Sequence, residues 1–440
     1  MRRPSTRLLK ILNKSHSFHC QPKVLLPYQR TVGRGVGDLG IVPALYPLRA
    51  EYNILAMRAE PNTVNIEFHS SMDAIPVAEW NALISGNYPF LQHTFLRALE
   101  KFSCVGAHVG WIPQHLVYSK NNQIMGAMPL YEKYNSWGEF VFDHAWADAY
   151  QRYGVEYYPK LVNAIPFTPA SGQRILLNSE NDKETARLLV AAVNTLVNEG
   201  NYSGIHSLFP ATKDFAILNQ QQAISRSDCQ FHWYNQGYTC FEDFLGRLKS
   251  KKRKNIKQER RKVADAGIKI RRLDGHTAST NDWYDFTALY QKIYDRKYGM
   301  AAFNQAFFMD IAQSMPNQIQ LVLASRDQHC LATALMYCDD TTLYGRHWGS
   351  EHYIDSLHFE VCYYQGIELC IEKGLQRFDP GAQGEHKIAR GFVPTRTQSL
   401  HWMAQSPFNQ AIAQFVEREQ SGVQRYIDVV RAHSPYNTVA

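Results

Sequence analysis

His115-Leu116-Val117-Tyr118-Ser119, then Lys120-Asn121-Asn122-Gln123, then Ile124-Met125-Gly126-Ala127-Met128-Pro129-Leu130-Tyr131 is the stretch that decides the fold. Apolar runs flank a polar turn, as an antiparallel hairpin requires. Roughly 205 positions later, Gln320-Leu321-Val322-Leu323-Ala324-Ser325, Arg326-Asp327-Gln328 and His329-Cys330-Leu331-Ala332-Thr333-Ala334-Leu335-Met336-Tyr337 read the same way. Each copy is followed by a Trp-Gly pair, Trp137-Gly138 and Trp348-Gly349, which the pattern places at the end of a further strand. Helical spacing surrounds the hairpins: Phe95, Leu99 and Phe102; Leu189, Val193, Leu196 and Val197; an aromatic stripe of Trp283, Phe286, Tyr290 and Tyr294; and the segment 357–373. Helices alternating with hairpin strands predict layered α/β or α+β structure rather than a bundle. One duplicated unit, 61–230 and 231–440, accounts for the length better than two unrelated domains.

The 440 residues are 45% apolar and 20% charged, which excludes a disordered, collagen-like or disulfide-scaffold chain. Eight cysteines contain no C-x-x-C pair, so neither a structural zinc site nor a redox dithiol is expected, and reduced thiols in the cytoplasm are the plain reading. No run of 18 apolar residues is present to span a membrane. Residues 1–56 hold nine Lys/Arg against Asp38 and Glu51, without the apolar core of a secretory signal. Residues 1–60 are therefore expected to form a poorly ordered basic extension, either an organelle transit peptide or an upstream start before Met57.

The overall charge of +7 equals the excess of that terminal segment, yet the remainder is neutral only by cancellation. Residues 247–262 carry ten Lys/Arg against Glu259, and with Phe241, Phe244 and Leu248 before them and Gly267 after, they read as one or two basic helices within 241–266. Such a density repels itself unless an anion is near, and phosphates are the obvious partner. Lys252, Arg253 and Lys254 are its central residues.

Three constellations can carry chemistry. Phe140 to Tyr150 sets Asp143, His144 and Asp148 among aromatics that include Trp146, a setting that desolvates a carboxylate into a general base; the competing role for Asp143 is a helix cap. Phe378 to Lys387, continuing to Arg390-Gly391-Phe392, packs Gly381, Gln383, Gly384, Glu385, His386 and Lys387 into one loop, where glycines permit tight turns and an acid, an imidazole and an amine follow. Leu357 to Gln365 places His358 and Glu360 on a helix, two apart and facing different ways, so no metal pair results and no metal site is expected. Gly345 to Gly349 ends a strand, where Arg346 or His347 can face a cleft and a plain strand-end charge is the competing reading, and Cys362 reads as a core thiol.

These features resemble the FemAB-like branch of the GNAT acyltransferase superfamily. The likeness rests on Trp111–Leu116, Phe142-Asp143, Ala145–Tyr150, Tyr157–Leu161, Pro166–Pro169, Lys251–Lys254, Glu259–Arg261, Leu357–Glu360, Gly381–Lys387, Arg390–Phe392 and His401-Trp402, and covers about 65–405. It implies tandem GNAT-type domains, each an α/β (α+β) unit with a mixed central sheet flanked by helices, and basic helices at the junction. It implies transfer of an acyl or aminoacyl group from acyl-CoA or aminoacyl-tRNA, as co-substrate rather than tightly bound cofactor, to an amine such as a peptidoglycan precursor. The Arg/Gln-x-x-Gly-x-Gly/Ala loop that grips acetyl-CoA in ordinary GNAT enzymes is missing after Met128–Tyr131 and after Leu343–Trp348. Deprotonating the amine then falls to Glu385, His386, Asp143 or Asp148. Lys387, Arg390 and the basic helices hold phosphate or oxyanion charge, with Gly381, Gln383, Gly384, Trp146, His358, Glu360 and Arg346 lining the donor or substrate site. The alternative is a non-catalytic module that binds a peptidoglycan precursor or RNA.

Overall fold

The computed structural model describes residues 64–437 except 180–181, 201, 220–222, 297–298 and 383. The extension expected over 1–60 and the candidate Gln383 lie outside the described residues. Both hairpins form where the sequence puts them. Among the described residues, β1 (Val64–His69), β2 (Trp111–Pro113), β3 (His115–Lys120), β4 (Gln123–Met128) and β5 (Tyr131–Lys133) are the first strands. Asn121 and Asn122 turn β3 into β4 with positive φ (54° and 62°), the backbone a two-residue hairpin needs. Asp327 and Gln328 (52° and 65°) do the same between β11 (Ile319–Arg326) and β12 (His329–Cys338).

Around each hairpin the same connection order recurs. β1 leads through helices α1 (Val77–Ala82) and α2 (His93–Lys101) to β3, as β10 (Lys269–Asp274) leads through α8 (Thr280–Asp295) and α9 (Gln305–Ser314) to β11. Farther on, β6 (Lys160–Asn163) pairs parallel with β8 (Gly204–Leu208), and β13 (Thr342–Ser350) pairs parallel with β14 (Arg377–Asp379). The first copy is broken where the second is continuous. Pro113 and Pro129 lack ladder donors, so β2 separates from β3 and β4 from β5, although Gln114 N–H still donates to the Leu130 carbonyl at 2.9 Å. The counterpart of β13 is thus β6, and Trp137-Gly138 sits in a turn rather than at a strand end, with Gly138 at φ +81°. Trp348-Gly349 does lie within β13.

The last strand of each copy crosses over. β9 (Ile224–Tyr234) pairs with β14 of the second copy, and β15 (Val393–Met403) pairs with β8 of the first, while β9 and β15 pair with each other from Val393↔His232 to His401↔Ile224. Among the described residues this yields an eleven-stranded mixed sheet, beside a four-stranded sheet β1-β3-β4-β7 that includes β7 (Leu176–Leu177). Backbone hydrogen bonds therefore join the two copies along one seam. Helices flank the sheets: α3 (His144–Arg152), α4 (Lys183–Glu199), α5 (Thr212–Leu218), the basic pair α6 (Phe241–Arg247) and α7 (Ser250–Asp265), and the long α12 (Ser406–Ala432), which packs on β9 and β15. Gly267 follows α7 at φ +71°, the left-handed stop its position predicts. The helix expected over 357–373 is α10 (Leu357–Phe359) and α11 (Gln365–Glu372), joined by a π-turn at Glu360–Tyr364. The aromatic stripe of α8 is core: Trp283, Phe286 and Tyr290 are buried. This is the mixed α/β architecture, sheets flanked by helices, that the sequence predicts.

Candidate functional site

The seam carries two cavities that share a wall. The larger, about 470 Å³, is lined by Tyr88 and Gly172 before the crossover, by His232 of β9, by Tyr344 and Arg377 of the second copy, and by Thr395–Gln398 of β15. His232 is buried; its Nε2 lies 3.1 Å from Gln230 Oε1 and 3.8 Å from Asp379 Oδ1, and its Nδ1 has no partner. Burial pushes this imidazole down to about 4, so it is neutral near pH 7. The Arg377 Nε is likewise buried and unpartnered. Polar atoms in this state cost roughly 1–3 kcal/mol each.

The smaller cavity, about 360 Å³, is lined by Phe142, His144, Phe209, Arg226, Ser399 and Glu419, and shares Thr397 and Gln398 with the larger. Arg226 is clamped by Glu419 (Nε–Oε2 2.7 Å, Nη2–Oε1 2.8 Å) and lies 5.1 Å from the Trp146 ring centroid. Behind this wall runs a buried polar chain. Ser399 Oγ is 2.8 Å from His401 Nε2, His401 Nδ1 is 2.6 Å from His206 Nδ1, and His206 Nε2 is 3.5 Å from the Tyr157 hydroxyl. Tyr157 donates to Asp143 Oδ2 at 2.6 Å, and Asp143 is ion-paired with Lys160, which also reaches Glu139 Oε2 at 2.8 Å. Burial pushes His206 down to about 3 and holds His401 well below its ordinary value, so both rings are neutral. Burial opposes the Asp143 charge, but the Lys160 ammonium outweighs it and holds the carboxyl well below its usual range.

Asp143, expected as a base, is buried and committed to an ion pair. It occupies the N-cap position of α3 but makes no side-chain cap bond, and its charge is spent on Lys160. Asp148 points to solvent on the same helix. Trp146, expected to line a donor site, is fully buried, stacked on His206 and edge-on to His401.

The second constellation forms where β13 and β14 diverge after Tyr344↔Asp379. Asp379, fully buried, accepts from Arg346 (Nη2–Oδ2 2.9 Å) and from Gly381 N–H (3.0 Å). Lys387 is buried and donates to the Gly381 carbonyl at 2.6 Å; burial depresses it to about 8. Gly381 and Gly384 hold φ of +96° and +115°, and a Cβ on Gly384 would meet the His386 ring at 2.4 Å. His386 receives the Tyr363 hydroxyl at 2.8 Å, and Glu385 is exposed, bonded at 2.7 Å to Tyr426 of α12, one turn from the cavity-lining Val423. Arg390 grips Glu259 (Nη2–Oε1 2.7 Å) and stacks 3.3 Å from the Phe359 ring centroid. His358 sits in the same cluster, edge-on to Trp348 and Tyr363, where burial lowers it to about 4.

The basic helix α7 is two-faced. Arg260 bridges Glu360 (3.1 Å) and Glu368 (2.6 Å), Lys262 pairs with Asp355 (2.7 Å) and Lys257 with Glu242 (2.7 Å). Glu360, expected to line the donor or substrate site, is thereby engaged by Arg260. Lys251, Lys252, Arg253, Lys254 and Arg261 pair with no acid among the described residues. The structure thus gathers Arg346, Gly381, Gly384, Glu385, His386, Lys387, Arg390 and His358 into one region and leaves Asp143, Asp148 and Trp146 outside it. His232, Arg377, Ser399, His401 and His206 went unread as site residues, though Thr395, Thr397, Ser399 and His401 alternate along β15 and so mark a polar buried strand face.

A family profile described as FemAB-like, peptidoglycan biosynthesis/recognition, matches residues 71–438. Among solved structures, FemX is similar over 77% of this chain and 98% of its own, at 10% identity and a TM-score of 0.48. A tandem GNAT protein from the clavulanic acid biosynthesis pathway aligns over 78% and 98% (9% identity, TM-score 0.39). The C-terminal domain of a putative lysylphosphatidylglycerol synthetase from Agrobacterium fabrum aligns over 78% and 95% (8% identity, TM-score 0.44). No curated protein matches the sequence.

Proposed function

Because the chain belongs to the FemAB-like family of peptidoglycan biosynthesis and recognition, we propose that it is an N-acyltransferase or aminoacyltransferase acting on an amine. The observation that carries this is the pair of cavities abutting at Thr397 and Gln398. A transferase must bring two substrates to within bonding distance, and one shared wall does so. Neutral His232 lines the larger cavity as a proton acceptor for the attacking amine, held through Nε2 by Gln230 and standing 3.8 Å from Asp379 at the start of the loop 379–391. Glu385 and His386 stand at the accessible edge of that loop as further acid–base groups, while Lys387 and Arg390 hold it in place. The unpaired cations Lys252, Arg253 and Lys254 suit a phosphate-bearing donor, acyl-CoA or aminoacyl-tRNA. The domains are 61–230 and 231–440, with the basic segment 241–266 in the second. Among the described residues no helix is long and apolar enough to cross a membrane, and we place the protein in the cytoplasm.

A non-catalytic recognition module is the second reading, favoured by how many reactive groups are paired internally: Asp143 with Lys160, Asp379 with Arg346, Arg390 with Glu259. Incubating the protein with radiolabelled acyl-CoA or aminoacyl-tRNA and an amine-bearing peptidoglycan precursor separates the two. Labelled product that accumulates over many turnovers supports transfer. Saturable binding with no product supports recognition alone.

A further inference from the structure

The larger cavity has a charge pattern that the proton transfer assigned to His232 does not use. Two carboxylates line it, and both are committed to their own loops. Asp214 accepts from the backbone N–H groups of Arg174 and, at 3.1 Å, of Ile175. Asp339 accepts through Oδ1 from Thr341 N–H (2.8 Å) and Thr342 N–H (2.7 Å), and through Oδ2 from the Tyr344 hydroxyl (2.7 Å). Arg377 has no such answer: it pairs with no acid among the described residues, and its nearby Asp379 is held by Arg346 and by Gly381 N–H. Exposed Lys213 and Arg396 line the same cavity. What remains unanswered is positive, and a guanidinium withdrawn from water beside no anion loses hydration that nothing in the chain restores.

Strand register places that guanidinium. Arg377 stands opposite Tyr234 in the antiparallel pair of β14 and β9, so it shares the sheet face of His232, two residues before Tyr234. Diagonal neighbours of this kind lie about 7–8 Å apart, within reach of a side chain as long as arginine. The tautomer of His232 is fixed as well. Gln230 donates through Nε2 to the Pro169 carbonyl (3.0 Å), so its Oε1 accepts from His232 Nε2–H (3.1 Å), and His232 Nδ1 keeps a lone pair. One molecule can therefore present an N–H to His232 and an oxyanion to Arg377. The paired N–H groups of a guanidinium match the two oxygens of a carboxylate. A volume of about 470 Å³ is small for a ligand pocket and suits a group the size of an amino acid or dipeptide.

We propose that Arg377 reads a carboxylate on the acceptor, so that the amine substrate is an amino acid or the amino-acid end of a peptide. The proposal rests on the transferase reading and deepens it. Arg377 binds and selects the acceptor and takes no part in moving its proton.

The test is isothermal titration calorimetry near neutral pH with L-lysine, L-lysinamide and cadaverine, which share a side-chain amine while only the first carries a carboxylate. L-lysine should bind with an affinity at least about tenfold higher than the other two. Arg377→Gln should abolish that preference and Arg377→Lys should keep part of it, with far-UV circular dichroism confirming both folds. L-alanyl-L-lysine binding at least as tightly as L-lysine identifies the peptide end as the ligand, and weaker binding identifies the free amino acid. Equal affinity for L-lysine and L-lysinamide, no saturable binding of L-lysine, or a preference that survives in Arg377→Gln overturns the carboxylate site and leaves the transferase reading standing. Inorganic phosphate binding more tightly than L-lysine does the same. A preference that depends on Arg377, in a protein that passes no acyl group to any amine, upholds the carboxylate site and overturns the transferase reading.

Discussion

Replacing Lys160 by Met should destabilise the protein by about 3–5 kcal/mol near neutral pH, the usual cost of removing one partner from a buried ion pair. The side chain of Lys160 is 0% exposed, and its ammonium touches Asp143, Glu139 Oε2 at 2.8 Å and Ser136 Oγ at 3.2 Å. Unit charges about 3 Å apart attract by about 5–6 kcal/mol at an effective dielectric of about 20, and relief of the lysine's own desolvation offsets part of the loss. Burial pushes Glu139 up to about 7 even with Lys160 present, so Asp143 is the carboxylate that Lys160 chiefly neutralises. Because its folded pKa lies below the unfolded value, Asp143 stabilises above the unfolded pKa and loses that contribution as pH falls through the folded one. In Lys160→Met the carboxyl is buried without its cation, its pKa rises, and its contribution instead fades as pH rises. The gap between wild type and variant, read from urea denaturation by tryptophan fluorescence, should therefore be widest near pH 7 and shrink toward about pH 4. A gap below about 1 kcal/mol at both pH values, or one independent of pH, refutes the ion-pair account.

Gly384→Ala should cost about 1–3 kcal/mol by thermal denaturation, because its φ of +115° and the His386 ring leave no room for a Cβ. Lys387, depressed to about 8, destabilises while charged, so wild type should gain on Lys387→Met as pH rises from about 8 toward 10.4, measured as the difference in unfolding free energy across that window. Changing Lys251, Lys252, Arg253 and Lys254 together to Glu should leave the melting temperature nearly unchanged. Donor affinity should fall at least tenfold and lose most of its salt dependence, as titration at two ionic strengths would show.

The hairpins were legible because their information is local: alternation sets each strand, and Asn121-Asn122 or Asp327-Gln328 sets the turn. The first copy was misread at Trp137 because two prolines interrupt its ladder and move the equivalent of β13 to β6, beyond α3. The exchange of β9 and β15 was hidden, since no local pattern says which sheet a terminal strand joins. Charge told half the story of α7: its helicity and basicity were plain, but not that Arg260 and Lys262 are committed to acids about a hundred residues away. Asp143 misled in a related way, since its cation, Lys160, lies beyond helix α3 on β6. The polar face of β15 was visible as alternating Thr395, Thr397, Ser399 and His401, but the hydrophobic pattern gave that face no weight.

The central claim is that chemistry passes across the wall shared by the two cavities. Gln398 is only partly buried, and its main chain stays in the β15 ladder whatever its side chain. Steady-state transfer by Gln398→Trp, whose indole would fill that wall, is the most direct test, with far-UV circular dichroism confirming the fold. At least a tenfold loss of turnover with either substrate saturating is predicted, and turnover equal to wild type would contradict the account.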